Sequence, residues 1–191
     1  MASLLCKMGK PLALYTSHPY LQPTTVKEKA MKTLNPAHIE ALFALINRSP
    51  YFELLGMKLV EMRSGYCKAI VDLERKHLNA FGGVHGGAYA SLVDTAAYWA
   101  LYPELDEDAG FITLDLSVSN LRAVREGRIV IEGSVIKRGR NIALCEASAF
   151  DEQGRLLVHC TSKQFLSPTL QPMSAAILEL GCDPLPPKFL N

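Results

Sequence analysis

The chain has 191 residues, 20 basic against 19 acidic side chains, a formal net charge of +1 and 49% apolar residues. That length suits one domain whose core needs no disulfide or structural metal, with room for short extensions. The charge balance offers no basic face for nucleic acid, and no stretch approaches the ~20 apolar residues of a membrane span, so neither partner is expected.

Residues 1–34 carry Pro11, Pro19 and Pro23 with little periodicity and read as an extended arm. Its apolar start is broken by Lys7, Lys10 and Pro11 and lacks a clean signal-peptide core, which predicts a soluble, cytoplasmic protein. Asn35-Pro36 is a helix start, with Asn as N-cap and Pro at the first helical position. Ile39, Leu42, Phe43 and Ile46 follow at helical spacing, and Ser49-Pro50 is read as the end of that element. Met57–Arg63 and Tyr66–Leu73 are two β-like runs around Ser64-Gly65, a predicted hairpin.

A glycine-rich loop from Asn79 to Gly87 feeds an Ala-rich apolar run, Ala88–Leu101. The run is too long for a strand and apolar nearly all round, which predicts a helix enclosed by the rest of the protein. Phe111–Val118 alternates, with Ile112, Leu114, Leu116 and Val118 expected on one face and Thr113, Asp115 and Ser117 on the other. Arg128–Lys137, Asn141–Phe150 and Arg155–Leu166 are three further strands, separated by the turns Arg138-Gly139-Arg140 and Asp151–Gly154. Short turns demand antiparallel neighbours. The expected class is therefore α+β, a curved antiparallel sheet wrapped around one long helix, over a domain spanning 35–166 with a tail at 167–191.

Asp94 lies in the middle of the enclosed helix. An ionised carboxylate buried without partners is costly, so it needs a reason: a structural hydrogen bond or chemistry in a dry pocket. Both readings stand on the residues alone. In Gly82-Gly83-Val84-His85-Gly86-Gly87 the glycines allow close ligand approach, and the loop ends where free N–H groups and the helix dipole favour negative charge. An oxyanion growing on a thioester carbonyl is a ligand of that kind. Asp94 lies eight residues beyond Gly86, a rise of ~12 Å, so the two would meet only across a dimer of antiparallel helices. His85 reads as a loop-holding residue. No second His or carboxylate sits at metal-ligand spacing, and no GxSxG, Cys elbow or GK[ST] occurs. The five scattered cysteines show no CxxC spacing, and Cys145 and Cys160 sit in strand-like stretches as core residues of a reducing compartment.

Asn79, His85-Gly86-Gly87 and Asp94 stand at the spacing of the signature in hotdog-fold thioesterases of the phenylacetate-degradation (PaaI-like) type. The chain resembles that family from about Phe52 to Leu166, roughly three-fifths of its length. The resemblance implies an acyl-CoA thioesterase needing no cofactor, coenzyme A being part of the substrate. It implies Asp94 as general base or nucleophile, the Gly86 N–H on the thioester carbonyl, Asn79 orienting the thioester or the water, and His85 shaping the loop. Thr113 matches the Ser or Thr that assists the water. Gly87, Arg122, Arg138 and Arg140 are candidate substrate contacts, the arginines for the CoA phosphates, though Arg138-Gly139-Arg140 reads equally as a solvated turn. The resemblance also implies a homodimer as minimal unit, with a homotetramer expected. Asn120 stands where relatives often carry an aromatic residue, which bears on the acyl group. The competing reading is a non-catalytic acyl-CoA-binding protein of the same fold, and a dehydratase of that fold is disfavoured by the HGG loop.

Overall fold

The computed structural model describes residues 32–106 and 108–190; the arm, apart from its last three residues, lies outside them. Asn35 opens helix α1 (Pro36–Ile46), its side chain accepting the Ala37 N–H. Ser49-Pro50 does not simply end that helix. It starts a second one, α2 (Pro50–Leu55), with Pro at N1 and Gly56 at φ 63° as the left-handed cap.

The predicted hairpin forms as β1 (Met57–Arg63) and β2 (Tyr66–Asp72). After the central helix α3 (Gly86–Leu101) come β3 (Phe111–Asn120), β4 (Arg128–Arg138), β5 (Ile142–Phe150) and β6 (Leu156–Leu166). Among the described residues all strand pairings are antiparallel in the order β1-β2-β4-β5-β6-β3, which leaves β3 at an edge. Helix α3 packs into the concave face. Ala96, Ala97 and Ala100 let it lie close, and at Gly133 of β4 a Cβ would stand 2.1 Å from the Ala96 carbonyl oxygen. Only glycine permits that approach.

The strict alternation expected of β3 is broken by a bulge: Thr113 pairs with Gln164 and Asp115 with Lys163, leaving Leu114 unpartnered. The extra residue inverts the facing of the first half of the strand. Phe111, Thr113, Leu116 and Val118 turn toward the helix, while Ile112 and Leu114 point outward and are exposed. Phe111 stacks on Tyr98 of α3 at 4.0 Å.

Residues 167–190 fold back over the domain. Within them lies α4 (Met173–Glu179), and Leu34 and Phe189 form an antiparallel bridge. Lys188 is fully buried, its Nζ donating to the carbonyls of Tyr102 (2.6 Å), Leu105 (3.0 Å) and Asp106 (3.4 Å) and lying 3.8 Å from the Tyr102 ring centre. A cation there complements the negative end of the α3 dipole. His38 adds contacts from Nε2 to the Tyr102 hydroxyl (2.7 Å) and from Nδ1 to the Pro186 carbonyl (2.6 Å). Among the described residues no helix is long and apolar enough to cross a membrane.

Candidate active site

The loop before α3 is held by its own side chains. Asn79 Oδ1 accepts the N–H groups of Phe81 (2.8 Å) and Gly83 (3.3 Å), an Asx turn that lets Gly82 take φ 79°. The His85 N–H donates to the His77 carbonyl (2.8 Å), and His77 closes a capping box with Glu74. His85 is the N-cap of α3, its Nδ1 accepting the Gly87 N–H at 2.9 Å. A Cβ at Gly87 would stand 3.0 Å from that same ring nitrogen, so any larger residue presses on the cap.

The Gly87 N–H is thus spent on the cap, while the Gly86 N–H has no hydrogen-bond partner among the described residues. It lies beside a cavity of about 300 Å³ lined by Val84, Gly86, Tyr89, Asn120, Leu121, Arg122 and Ala123. Asn120 at the end of β3 reaches this spot: its Nδ2 is 3.1 Å from where a Gly86 Cβ would be. Arg122 is exposed on the rim, its carbonyl accepting the Tyr89 hydroxyl at 3.2 Å.

Asp94 is half-buried, on the flank of α3 that also carries Ser91, Thr95 and Tyr98, so the helix is less enclosed than its composition suggested. Thr113, turned inward by the bulge, approaches Asp94 Oδ1 with its hydroxyl at 3.1 Å. Burial raises the Asp94 carboxyl above the usual carboxylate range, and the Thr113 hydrogen bond pulls the other way. The outcome is a carboxylate made more basic than one in water while keeping a donor that fixes one oxygen. Such a group can accept a proton from water.

The Thioesterase superfamily pattern matches residues 81–158, a span running from the glycine loop through α3 into β6. The chain carries a thioesterase superfamily domain. Among its relatives, the proofreading thioesterase EntH of Cronobacter turicensis is 29% identical over 111 residues, covering 58% of this chain and 80% of the relative. Acyl-coenzyme A thioesterase 13 of Homo sapiens is 28% identical over 115 residues, covering 59% and 81%. A crystal structure of a Haemophilus influenzae thioesterase superposes with a TM-score of 0.64 at 24% identity, over 72% of this chain and 93% of that one. The architecture is the hotdog fold, and the chemistry of the thioesterase domain is, in general terms, thioester hydrolysis.

The thioesterase domain does not gather every predicted residue. Arg122 stands by the start of α3, whereas the Arg138 guanidinium donates to the Glu104 carbonyl just past the helix's far end, and Arg140 is exposed on the adjoining turn. Sixteen residues of helix, ~24 Å, separate the two ends, so the three arginines do not converge on one phosphate within a chain. Cys145 and Cys160 are core residues as expected, their thiols pushed up to about 12 and about 11, by burial above all, and so poor nucleophiles.

Two residues went unread. Gln164 and Ser162, both with 0% exposure, lie on the inner face of β6 behind Thr113. Their signal was parity: Cys160, Ser162, Gln164 and Leu166 alternate onto one face, where a polar pair needs a reason. A larger cavity, about 1180 Å³ and mostly apolar, is walled by α1, α2, α4, Trp99, Tyr98 and Phe111. Asp94 does not line it, but Tyr98 and Phe111 are its neighbours, one helical turn and one strand repeat away.

Proposed function

We propose that the protein hydrolyses acyl-CoA thioesters to free acid and coenzyme A, with Asp94 as general base. The observation that carries this reading is the Asp94–Thr113 pair on a half-buried helix flank. Asp94 takes a proton from water as the water oxygen attacks the thioester carbon. Thr113 holds the carboxylate in place, and the unpartnered Gly86 N–H receives the carbonyl oxygen as it becomes an oxyanion. Asn79 and His85 keep that N–H exposed by bracing the loop, and Asn120 borders the place where the carbonyl would sit. No cofactor is required, since the thioester is already activated. Acyl-CoA as the substrate is supported by the name of the human relative, and assignment to the phenylacetate-degradation type rests on the Asn79–His85–Asp94 spacing.

The ~12 Å rise from Gly86 to Asp94 supports a homodimer whose sites each combine Gly86 of one chain with Asp94 of the other. The outward Ile112 and Leu114 on the open edge of β3 give such a pairing an apolar seam. A homotetramer would follow from pairing two such dimers. Cys67, Cys145, Cys160 and Cys182 are free thiols, which supports a cytoplasmic setting.

The test is thiol release from acyl-CoAs ranging from acetyl to palmitoyl, plus phenylacetyl and hydroxybenzoyl, by the wild type and Asp94→Ala. Turnover that falls by ~10²-fold or more in the variant supports the reading. A wild type that binds these thioesters and cleaves none would remove it.

A further inference from the structure

Behind the Asp94–Thr113 pair runs a buried polar chain that no part of the hydrolytic scheme yet uses. Thr113 Oγ1 is 3.1 Å from Asp94 Oδ1 and 3.2 Å from Gln164 Oε1. Gln164 Nε2 donates to Ser162 Oγ at 2.8 Å, and the Ser162 hydroxyl donates to the Asp115 carbonyl at 3.0 Å. The last contact fixes the directions of the rest. Ser162 gives its one proton to Asp115, so its oxygen is the acceptor for the Gln164 NH2, and the Gln164 carbonyl oxygen must then face Thr113. Two acceptors therefore stand within reach of a hydroxyl that owns a single proton.

We propose that Gln164 is a positioning residue that receives the Thr113 hydroxyl proton whenever Asp94 is protonated, so that the base can switch state without stranding a buried polar atom. While Asp94 is ionised, the Thr113 proton points to the carboxylate, where the hydrogen bond is charge-assisted. During hydrolysis the water O–H bond breaks, its proton passes to Asp94, and its electron pair forms the new bond to the thioester carbon. The protonated carboxyl then donates to Thr113 Oγ1, and the Thr113 hydroxyl rotates to donate to Gln164 Oε1. When the C–S bond breaks, the thiolate leaves with that electron pair and takes the proton from Asp94, and Thr113 turns back. Without the Gln164 acceptor, Thr113 would have to point its hydrogen at another donor. The bulge at Leu114 is the backbone device that makes this possible, since it aims Thr113 at both partners at once.

The other titratable groups facing Asp94 do not change charge where this switch operates. Tyr98 on the same helix is pushed up to about 12 by burial and by the Asp94 charge, and Cys160 on β6 to about 11. Asp115 on β3 is paired with Lys163 at 2.5 Å on the outer face, and Glu146 and His159 also lie on that face.

The inference rests on Asp94 being the base. Its test is the pH dependence of kcat and KM for Gln164→Leu, Thr113→Val and the double variant, on the acyl-CoA the wild type cleaves best. Gln164→Leu is expected to lower kcat about tenfold, the worth of one hydrogen bond to developing charge, with KM unchanged. It should also move the acid limb of kcat to lower pH, because the protonated form of Asp94 loses the support that Gln164 gave it. In the Thr113→Val background, Gln164→Leu should change nothing further. Should Gln164→Leu fold poorly, Ser162→Ala/Gln164→Leu replaces both polar partners and should show the same shift. An unmoved acid limb, or an equal loss of kcat with and without Thr113, overturns the inference. Wild-type activity in Asp94→Asn would instead overturn the assignment of the base itself.

Discussion

Replacing Gly133 by alanine places a methyl group 2.1 Å from the Ala96 carbonyl oxygen and 2.3 Å from its carbon. Ordinary contact begins at 3.4 Å, so α3 must lift from the sheet by about 1.3 Å, and the obstructing atoms are backbone that cannot rotate away. Asp94 sits two residues before Ala96 on the same helix and is joined to β3 by a 3.1 Å hydrogen bond that such a lift would break. Overpacking of this kind costs about 1–3 kcal/mol, here at the upper end, or roughly 5–10 °C in melting temperature for a chain of this size. A misplacement of about 1 Å at a catalytic group can lower turnover ~10²-fold. Thermal denaturation and thiol release on the same preparation measure both. If Gly133→Ala melted within ~2 °C of the wild type and kept more than half its activity, the close seating of α3 would not be what positions Asp94.

Other substitutions probe the remaining parts of the site. Gly86→Pro deletes the unpartnered N–H while suiting the first helical position, and His85 at φ −67° and ψ 135° already has a backbone compatible with a following proline. It should lower kcat by ~10²–10³-fold with little change in melting temperature, as a stopped-flow and melting comparison would show. Asp94→Asn should stabilise the fold at neutral pH by about 0.5–2 kcal/mol, an exchange of function for stability. Because burial raises the carboxyl of Asp94 in the folded state, wild-type stability falls as pH rises through that value, and the gap between the two proteins should close below about pH 4 in urea titrations. Lys188→Met removes the buried donor shared by the carbonyls of Tyr102, Leu105 and Asp106, of which Tyr102 keeps the Leu105 N–H at 3.2 Å. A loss of about 2–4 kcal/mol is expected, with faster proteolysis after residue 167.

Much of this architecture follows from patterns that a sequence states locally. Asn35-Pro36, the Ser64-Gly65 turn and the Ala-rich run to Leu101 each specify an element through neighbours a few residues apart, and the structure forms all three. The spacing of Asn79, His85 and Asp94 likewise placed the loop ahead of α3 and the carboxylate on it. What stayed hidden depends on distant partners. The bulge at Leu114 arises where β6 offers no residue opposite it, so Thr113 shares a face with Leu116 and Val118 and not, as strict alternation predicts, with Asp115 and Ser117. For the same reason Ile112 and Leu114 do not share the face of Leu116 and Val118. The packing of residues 167–190 depends on Lys188 meeting carbonyls more than 80 residues earlier in the chain. A hydrophobic count around that lysine gives no hint of its burial.

The claim at the centre of this account is that each site joins Asp94 of one chain to Gly86 of another. Mixing Asp94→Ala with Gly86→Pro, after subunit exchange verified by native mass spectrometry, tests it most directly. Each variant alone should be nearly inactive, and every mixed dimer should regain one intact site out of two, restoring thiol release well above either parent. Mixed dimers that form and stay as inactive as their parents would show that Asp94 and Gly86 do not work across the interface.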